Sequence, residues 1–187
     1  MSEHSPVTDA MRAMIGKEGE PVTAWDAVCK AEIRRYVQAV MDDNPIYWDE
    51  EYARKTKFGG IVAPGTFLYR AFRQTPGTPD PLRVNAPDED VHEPGWKTLG
   101  GVDVPRPEGW TVFHGGNEVE VYQLAKPGEV ITARTRLADI FEKEGRSGKM
   151  FFEVHETRFY NQKGELLSVD RLTAVFRHIA GQGGMDS

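Results

Sequence analysis

The pattern of apolar and polar residues changes at Trp110. From there to His178, the chain contains four segments rich in Val, Ile, Thr, Phe and Tyr, in which apolar and polar positions tend to alternate. An alternation of period two is typical of half-buried β-strands. Gly-containing turn sequences separate the segments, so the pattern predicts an antiparallel meander. The predicted strands span residues 112–123, 129–143, 149–161 and 165–178.

Two helices are predicted before these strands. Over residues 30–41, apolar side chains recur at i, i+3, i+4, i+7 and i+8, which places them on one helical face. Residues 64–73 form a second predicted helix, which begins at Pro64 and is largely apolar. A meander has one apolar face to cover, and this second helix is the obvious cover. The predicted fold class is therefore α+β, with a curved antiparallel sheet wrapped around a central helix.

The remaining segments are predicted to be an arm, a long loop and a tail. Residues 1–20 are polar and form the predicted N-terminal arm, while residues 21–179 form the single predicted domain, which opens with a short strand. Residues 74–109 contain seven prolines and no sustained periodicity. Such a long loop is either a lid or interface segment or a surface excursion. Residues 180–187 are predicted to be a flexible tail.

Composition narrows the classes of partner and site. The net charge is −6 with no basic stripe, which argues against nucleic acid as a partner. Cys29 is the only cysteine, so an internal disulfide and a two-Cys metal site are excluded. Neither a metal-binding spacing nor a phosphate-binding loop is visible, and we expect no metal and no cofactor. No window approaches the roughly 18 apolar residues of a membrane span, and we expect a cytoplasmic protein.

Two neighbouring segments carry the residue types that acyl chemistry needs. Residues 42–49 read DDNPIYWD, and residues 59–68 read GGIVAPGTFL. The first segment is predicted to be a loop, because a residue before proline is pushed out of the α region and Asn favours turns. Asp49 is placed to cap a short helix that runs to about residue 57. The second segment is a Gly-rich turn that enters the central helix.

These segments resemble the MaoC-like family of (R)-specific enoyl-thioester hydratases and dehydratases. The family motif is Asp-x-Asn-Pro-x-His-x-Asp, followed by a Gly-rich turn and a buried helix. Asp42, Asn44, Pro45 and Asp49 match this motif, whereas Tyr47 stands at the position of the motif histidine. The resemblance implies a single hotdog fold and a substrate that is a thioester of CoA or of an acyl carrier protein.

The resemblance also implies roles for individual residues. In the family, the motif Asp and His share the reacting water. Backbone N–H groups at the start of the buried helix bind the oxygen of the thioester carbonyl, because a helix N-terminus stabilises the negative charge that develops there. Asp42 and Tyr47 are therefore candidate catalytic residues. The candidate substrate-binding residues are Asn44, Ala63, Gly65 and Thr66, although Asn44 is most simply interpreted as a turn former.

For three residues, the sequence leaves open whether the side chain is catalytic or structural. Tyrosine has a reference pKa of about 10, so Tyr47 is a poor base near neutral pH; it remains conceivable as an acid, or as a structural or substrate-lining residue. Asp42 either takes part in catalysis or holds the loop through backbone hydrogen bonds. His114, beside two glycines, is a third candidate catalytic residue or a packing residue. His155 is expected on a solvated strand face.

The resemblance extends to a subgroup. Tyr47, the turn over residues 63–65 and the sequence HGG at 114–116 are similar to the N-terminal MaoC-type dehydratases, which are related to fatty-acid-synthase dehydratases. This subgroup includes substrate-side subunits that pair with a separate hydratase carrying the intact Asp and His. The leading hypothesis is accordingly the substrate-binding half of a hetero-oligomeric enoyl-CoA hydratase or 3-hydroxyacyl-thioester dehydratase, with a second hotdog subunit as partner.

Two alternatives remain. One is a stand-alone homodimeric enoyl-CoA hydratase that uses Asp42 with His114 or Tyr47. The other is a non-catalytic acyl-thioester binding protein. A thioesterase is disfavoured, because a hotdog thioesterase usually needs a carboxylate on the buried helix and residues 64–73 contain none.

Overall fold

One five-stranded antiparallel sheet forms the centre of the molecule. The computed structural model describes residues 5–72, 77, 99–107, 109–145 and 148–178. The strands are β1 (Val22–Thr23), β2 (Trp110–Val121), β3 (Thr132–Gly145), β4 (Gly148–Tyr160) and β5 (Leu166–His178). Their order across the sheet is β1-β3-β4-β5-β2, and every neighbouring pair is antiparallel.

Side chains cap the starts of three helical elements among the described residues, whereas the helix Lys30–Ala39 and the central helix have no side-chain cap. Thr8 accepts a hydrogen bond from the Met11 N–H, and Asp49 accepts one from the Tyr52 N–H, which is the cap predicted for Asp49. Within the described residues, the α-helices are α1 (Asp9–Arg12), α2 (Lys30–Ala39) and α3 (Glu50–Arg54), and the 3₁₀ helices are Pro45–Tyr47 and Gly65–Ala71.

The four long strands are confirmed, but the prediction of a simple meander is wrong for β2. Strands β3, β4 and β5 follow one another as hairpins, whereas β2 pairs with β5 at the edge opposite β1. The connection after β2 explains this placement. The N–H groups of Tyr122 and Gln123 both donate to the Leu167 carbonyl, and Gly128 donates to the Val28 carbonyl, so the connection is fixed first at β5 and then just before α2.

The central helix buries one face and leaves Thr66, Tyr69 and Arg70 exposed, so it is less buried than predicted. It is also a 3₁₀ helix of seven residues and not an α-helix over 64–73. The Phe67 N–H donates to the Pro64 carbonyl at 2.9 Å, which is the i to i+3 spacing of a 3₁₀ turn, and Pro64 is the cap residue before the helix. Phe67, Leu68 and Ala71 are buried and pack with Phe159 of β4 in the main core cluster.

A second core cluster lies further along the sheet. Val7 and Met11, from the predicted arm, are buried against Leu137 and Phe176. Val104 belongs to the same cluster, which shows that part of the predicted 74–109 loop covers the sheet. Residues 73–76, 78–98, 108 and 179–187 lie outside the described residues, and they include most of that loop and the predicted tail. Within the described part of the chain, no helix is long and apolar enough to cross a membrane.

Asn161 fixes the turn between β4 and β5. Its side-chain oxygen accepts hydrogen bonds from the N–H groups of Lys163 and Glu165, each at 3.0 Å. Its side-chain amide donates to the carboxylates of Glu129 and Glu165 at 3.1 and 2.7 Å. Asn161 itself is 3% exposed, so removing its amide breaks several hydrogen bonds that converge on one buried side chain.

We expect Asn161→Ala to lower the free energy of unfolding by about 2–4 kcal/mol, since several hydrogen bonds are lost and each contributes about 0.5–1.5 kcal/mol. Urea denaturation at a fixed protein concentration measures the change. Lys163→Ala is the matched control, because the Lys163 side chain is exposed in the same turn and should have little effect. Equal stability of the two variants would contradict this role for Asn161.

Candidate functional site

The loop over residues 42–49 begins where α2 ends. Met41 adopts a positive φ of 56°, and the Asp42 N–H donates to the Val37 carbonyl at 2.9 Å, so the chain turns sharply away from the helix. The Asp42 carboxylate accepts a hydrogen bond from the Asn44 N–H at 3.1 Å. The Asn44 side chain accepts one from the Ile46 N–H at 3.2 Å. Both polar side chains of the motif therefore hold the loop in shape.

Tyr47 packs against the main core cluster and is partly buried. Burial raises the pKa of its hydroxyl, and the nearby Asp42 carboxylate raises it further. Both effects act against the tyrosinate form. Tyr47 lines a cavity of about 320 Å³ with Lys30 and Ile61, while Asp42 lines a separate cavity of about 470 Å³ with Met41.

The start of the central helix lies against the edge strand β2. A Cβ atom at Gly65 would overlap the side chain of Val121, so this close approach requires glycine. A bulky residue at Gly65 would therefore disturb packing as well as any ligand. The Tyr36 hydroxyl is hydrogen-bonded to the Thr66 hydroxyl at 2.9 Å. Ala63 is fully buried, and its N–H donates to the Ala125 carbonyl at 2.8 Å, so this amide is already committed.

A third cavity, of about 220 Å³, joins the central helix to the sheet. Gly65, Thr66 and Tyr69 line it from the helix, and Asn117 and Asp170 line it from β2 and β5. Asn117 and Asp170 come to the same face because β2 and β5 pair Asn117 with Leu172 and Val119 with Asp170. The substrate-binding candidates Gly65 and Thr66 thus share a cavity with a buried carboxylate.

Asp170 is 4% exposed, and its hydrogen-bond partner is the neutral Asn117 amide. The Asn117 amide lies 2.7 and 3.0 Å from its two carboxylate oxygens. Burial raises the pKa of Asp170, and hydrogen bonds from Asn117 and Tyr69 offset the increase only in part. Burial also raises the pKa of Tyr69 to about 12, despite a hydrogen bond to Thr157 that lowers it.

His114 lies on the edge strand and not at its entrance. It pairs with Ala174 immediately before a β-bulge, which leaves Gly115 out of register. This register places His114 on the face that carries Asn117 and Asp170, and its charge lowers the pKa of Asp170. Among the described residues, no hydrogen bond or ion pair joins His114 to Asp42. The structure brings Asp42, Asn44 and Tyr47 together in one loop and places His114 near a different carboxylate.

Sequence reasoning missed Asp170, Asn117 and Tyr69. Strand β5 carries Ser168, Asp170, Leu172, Ala174 and Phe176 on one face, and all but the first two are apolar. A polar pair that continues an apolar face is a signal for a lined cavity, because a buried polar group needs a partner or a ligand. The alternation along β5 places Asp170 on the same face as the apolar residues, and this position was enough to identify it as a candidate site residue.

The expectation that His155 is solvated is wrong. His155 is 1% exposed and lies 2.9 Å from the Glu153 carboxylate, which is fully buried. Arg106 makes two hydrogen bonds to the same carboxylate, at 2.8 and 2.7 Å. Burial raises the pKa of Glu153, but the hydrogen bonds from His155 and Arg106 outweigh that effect and lower it overall. The contacts among Arg106, Glu153 and His155 anchor residues 99–107 to the sheet.

No group of three or more His, Cys, Asp or Glu side chains arranged for a metal ion is found within the described residues. The chemistry that the three cavities offer is hydrogen bonding and burial. The 42–49 loop supplies a carboxylate and a phenol, while the third cavity supplies a carboxylate, an amide and hydroxyl groups.

Similar proteins share most of the chain. A 27% identical relative from Thermomonospora curvata, named "Probable enoyl-CoA hydratase alpha subunit", aligns over 168 residues; the match covers 86% of this chain but only 49% of that protein, so this chain spans about half of its length. A UPF0336 protein from Saccharopolyspora erythraea is 25% identical, and the match covers 90% of this chain and 92% of that protein.

Solved structures share the fold. The ChsH1-ChsH2 complex from Mycobacterium tuberculosis contains a chain with a TM-score of 0.68 and 20% identity, and the match covers 92% of this chain and 96% of that one. A MaoC-like dehydratase from Rhodospirillum rubrum has a TM-score of 0.58 and 20% identity over 88% of this chain and 93% of that one. The HadBC (3R-hydroxyacyl-ACP dehydratase) complex from Mycobacterium tuberculosis contains a chain with a TM-score of 0.54 and 20% identity over 84% of this chain and 95% of that one.

These likenesses confirm the hotdog fold, a curled antiparallel sheet with few helices. The model of the FAS1-like dehydratase domain region matches residues 13–169, which is most of the chain. The chain therefore belongs to the FAS1-like dehydratase domain family, among the MaoC-like hydratases and dehydratases of hotdog fold.

Proposed function

We propose that this chain is the substrate-binding subunit of a heteromeric (R)-specific enoyl-CoA hydratase or 3-hydroxyacyl-thioester dehydratase. A second hotdog subunit supplies the catalytic Asp and His. The observation that carries the proposal is Tyr47, which occupies the position of the motif histidine and whose pKa is raised by burial and by Asp42. The base position is thus filled by a group that keeps its proton at neutral pH.

The chemistry explains why this substitution matters. Hydration of an enoyl thioester needs a group that takes a proton from water, and such a base works best with a pKa near the operating pH. The Asp42 carboxylate is also used within its own loop, where it accepts the Asn44 N–H. Together, Asp42 and Tyr47 can shape a site, but they lack the base of the intact motif.

The edge strand supports pairing with a second subunit. Strand β2 is paired with β5 on one side only within the described part of the sheet. Its exposed residues include Phe113, Val119 and Val121, which are 51%, 37% and 47% exposed. A long edge strand with exposed apolar side chains is a ready site for another chain. A second hotdog at this edge would also lie beside Gly65, which packs against Val121.

The named relatives favour a heteromer over a homodimer. One relative is called an alpha subunit, and two structural neighbours are complexes of two different chains. The homodimer alternative needs Asp42 to work with His114 or Tyr47. His114 instead lies near Asp170 and lowers its pKa. Tyr47 is a poor base, because burial and Asp42 raise its pKa.

Substrate binding is assigned to the cavity at the start of the central helix. Gly65 and Thr66 line this cavity where the central helix begins. The thioester carbonyl of an acyl-CoA or acyl-carrier-protein substrate would lie at these two residues. Asn44 and Ala63 then support the site from the loop and the core.

We expect the purified chain alone to hydrate crotonyl-CoA poorly or not at all, because it lacks the motif base. Co-expression with a small hotdog chain that carries the intact Asp-x-Asn-Pro-x-His motif should restore turnover. The loss of absorbance of the enoyl thioester measures the rate. The partner alone is the control for activity that does not need this chain. Rapid turnover by the lone chain would refute the division of roles.

Two substitutions in the complex test whether this chain contributes a catalytic group. Tyr47→Phe and His114→Ala should each change kcat by no more than a few fold. Loss of a general acid or base typically lowers the rate by about 10²- to 10⁴-fold. Steady-state kinetics on the purified complex separate these cases. A loss of that larger size in a complex that remains assembled would make the substituted residue catalytic and favour the stand-alone alternative.

A further inference from the structure

Asp170 is a carboxylate without a role in the chemistry assigned so far. Its residue is 4% exposed, yet it lines a cavity of about 220 Å³. A pocket that encloses a drug-sized ligand is usually about 300–1,000 Å³, so this cavity is suited to a short piece of a ligand and not to a whole acyl chain. The cavity therefore points to recognition of a functional group close to the thioester.

Neighbouring side chains hold this carboxylate in one orientation. The Asn117 amide donates to both carboxylate oxygens, at 2.7 and 3.0 Å. Tyr69 lines the same cavity. A carboxylate has about four acceptor positions, so the Asn117 amide leaves capacity for another hydrogen bond. These contacts pre-organise an acceptor facing the cavity.

Polar groups interrupt a lining that is otherwise mainly apolar. Ser168 and Thr66 add hydroxyl groups to the carboxylate and the amide, while Val119 and Phe159 form apolar walls. An alkyl group placed against Asp170 would remove a buried acceptor from any further hydrogen bonding, which is costly. A ligand group that donates a hydrogen bond avoids this cost.

We propose that Asp170, held by Asn117, binds the substrate by accepting a hydrogen bond from the 3-hydroxyl group of a 3-hydroxyacyl thioester. This assignment rests on the proposed function, which places the thioester carbonyl at Gly65 and Thr66 in the same cavity. The 3-hydroxyl group lies two carbons from that carbonyl, so a small cavity holds both. Asp170 thus distinguishes a hydroxyl from a ketone, which has no hydrogen to donate.

The test compares two ligands that differ only in this group. Calorimetry on the full chain at pH 8 measures the affinity for (3R)-hydroxybutyryl-CoA and for 3-oxobutyryl-CoA, with butyryl-CoA as the unsubstituted reference. We expect the wild-type chain to prefer the hydroxyacyl ligand over the oxoacyl ligand about tenfold, as a hydrogen bond to a charged group allows. Asp170→Asn should abolish or reverse this preference, because its amide can donate to the ketone.

Control variants separate the carboxylate from general effects. Asp139→Asn makes the same change at an exposed position on β3, outside the cavity, and should keep the wild-type preference. If Asp170→Asn does not fold, Asn117→Ala replaces it, since loss of the amide should reduce the preference several fold. The ratio of two affinities does not depend on the fraction of folded protein.

The outcomes distinguish this inference from the proposed function. Binding of all three ligands with the same affinities in wild type and Asp170→Asn, or in Asn117→Ala, would overturn the role of Asp170 while acyl-CoA binding stands. Binding of none of the three ligands by the wild-type chain would overturn both the role of Asp170 and the substrate-binding function. A preference that Asp170→Asn removes and Asp139→Asn keeps would support the role of Asp170.

Discussion

The concave face of the sheet must be covered, and the central helix that covers part of it has only seven residues. Phe67, which is fully buried, carries much of that cover by packing into the main core cluster. Because the helix is short, residues of the arm and residues 99–107 cover the far end of the face. The third cavity lies beside the helix, where helix and edge strand do not fill the space between them.

Local signals in the sequence predicted the elements but not their arrangement. The period-two alternation predicted the four long strands and Asp49 marked a helix start, because both signals depend only on nearby residues. The short 3₁₀ helix after Asn44 was predicted only as a loop. The position of β2 depends on the connection that bonds to Leu167 and Val28, which lie far apart in sequence. The 3₁₀ form of the central helix likewise has no pattern of its own in seven residues.

Candidate site residues that are neighbours in sequence were predicted, whereas those that come together only through folding were missed. Asp42 and Tyr47 belong to one motif and lie in one loop, as the sequence indicates. Asp170, Asn117 and Tyr69 are separated by as many as 101 positions, and only strand pairing brings them together. The same holds for His155, whose position between buried Phe151 and Phe159 places it on the concave face.

Two buried carboxylates on this face differ in what surrounds them, and that difference separates structure from ligand binding. Glu153 receives a paired arginine contact from Arg106 and a contact from His155, and its pKa is lowered overall. Asp170 accepts hydrogen bonds from the neutral Asn117 amide, its pKa is raised, and it borders a cavity. A carboxylate satisfied by cations has little to gain from a ligand, whereas one held by neutral donors gains from a further donor. The fold therefore uses one buried acid to fasten a segment to the sheet and leaves the other beside the central helix, where a substrate can complete its hydrogen bonding.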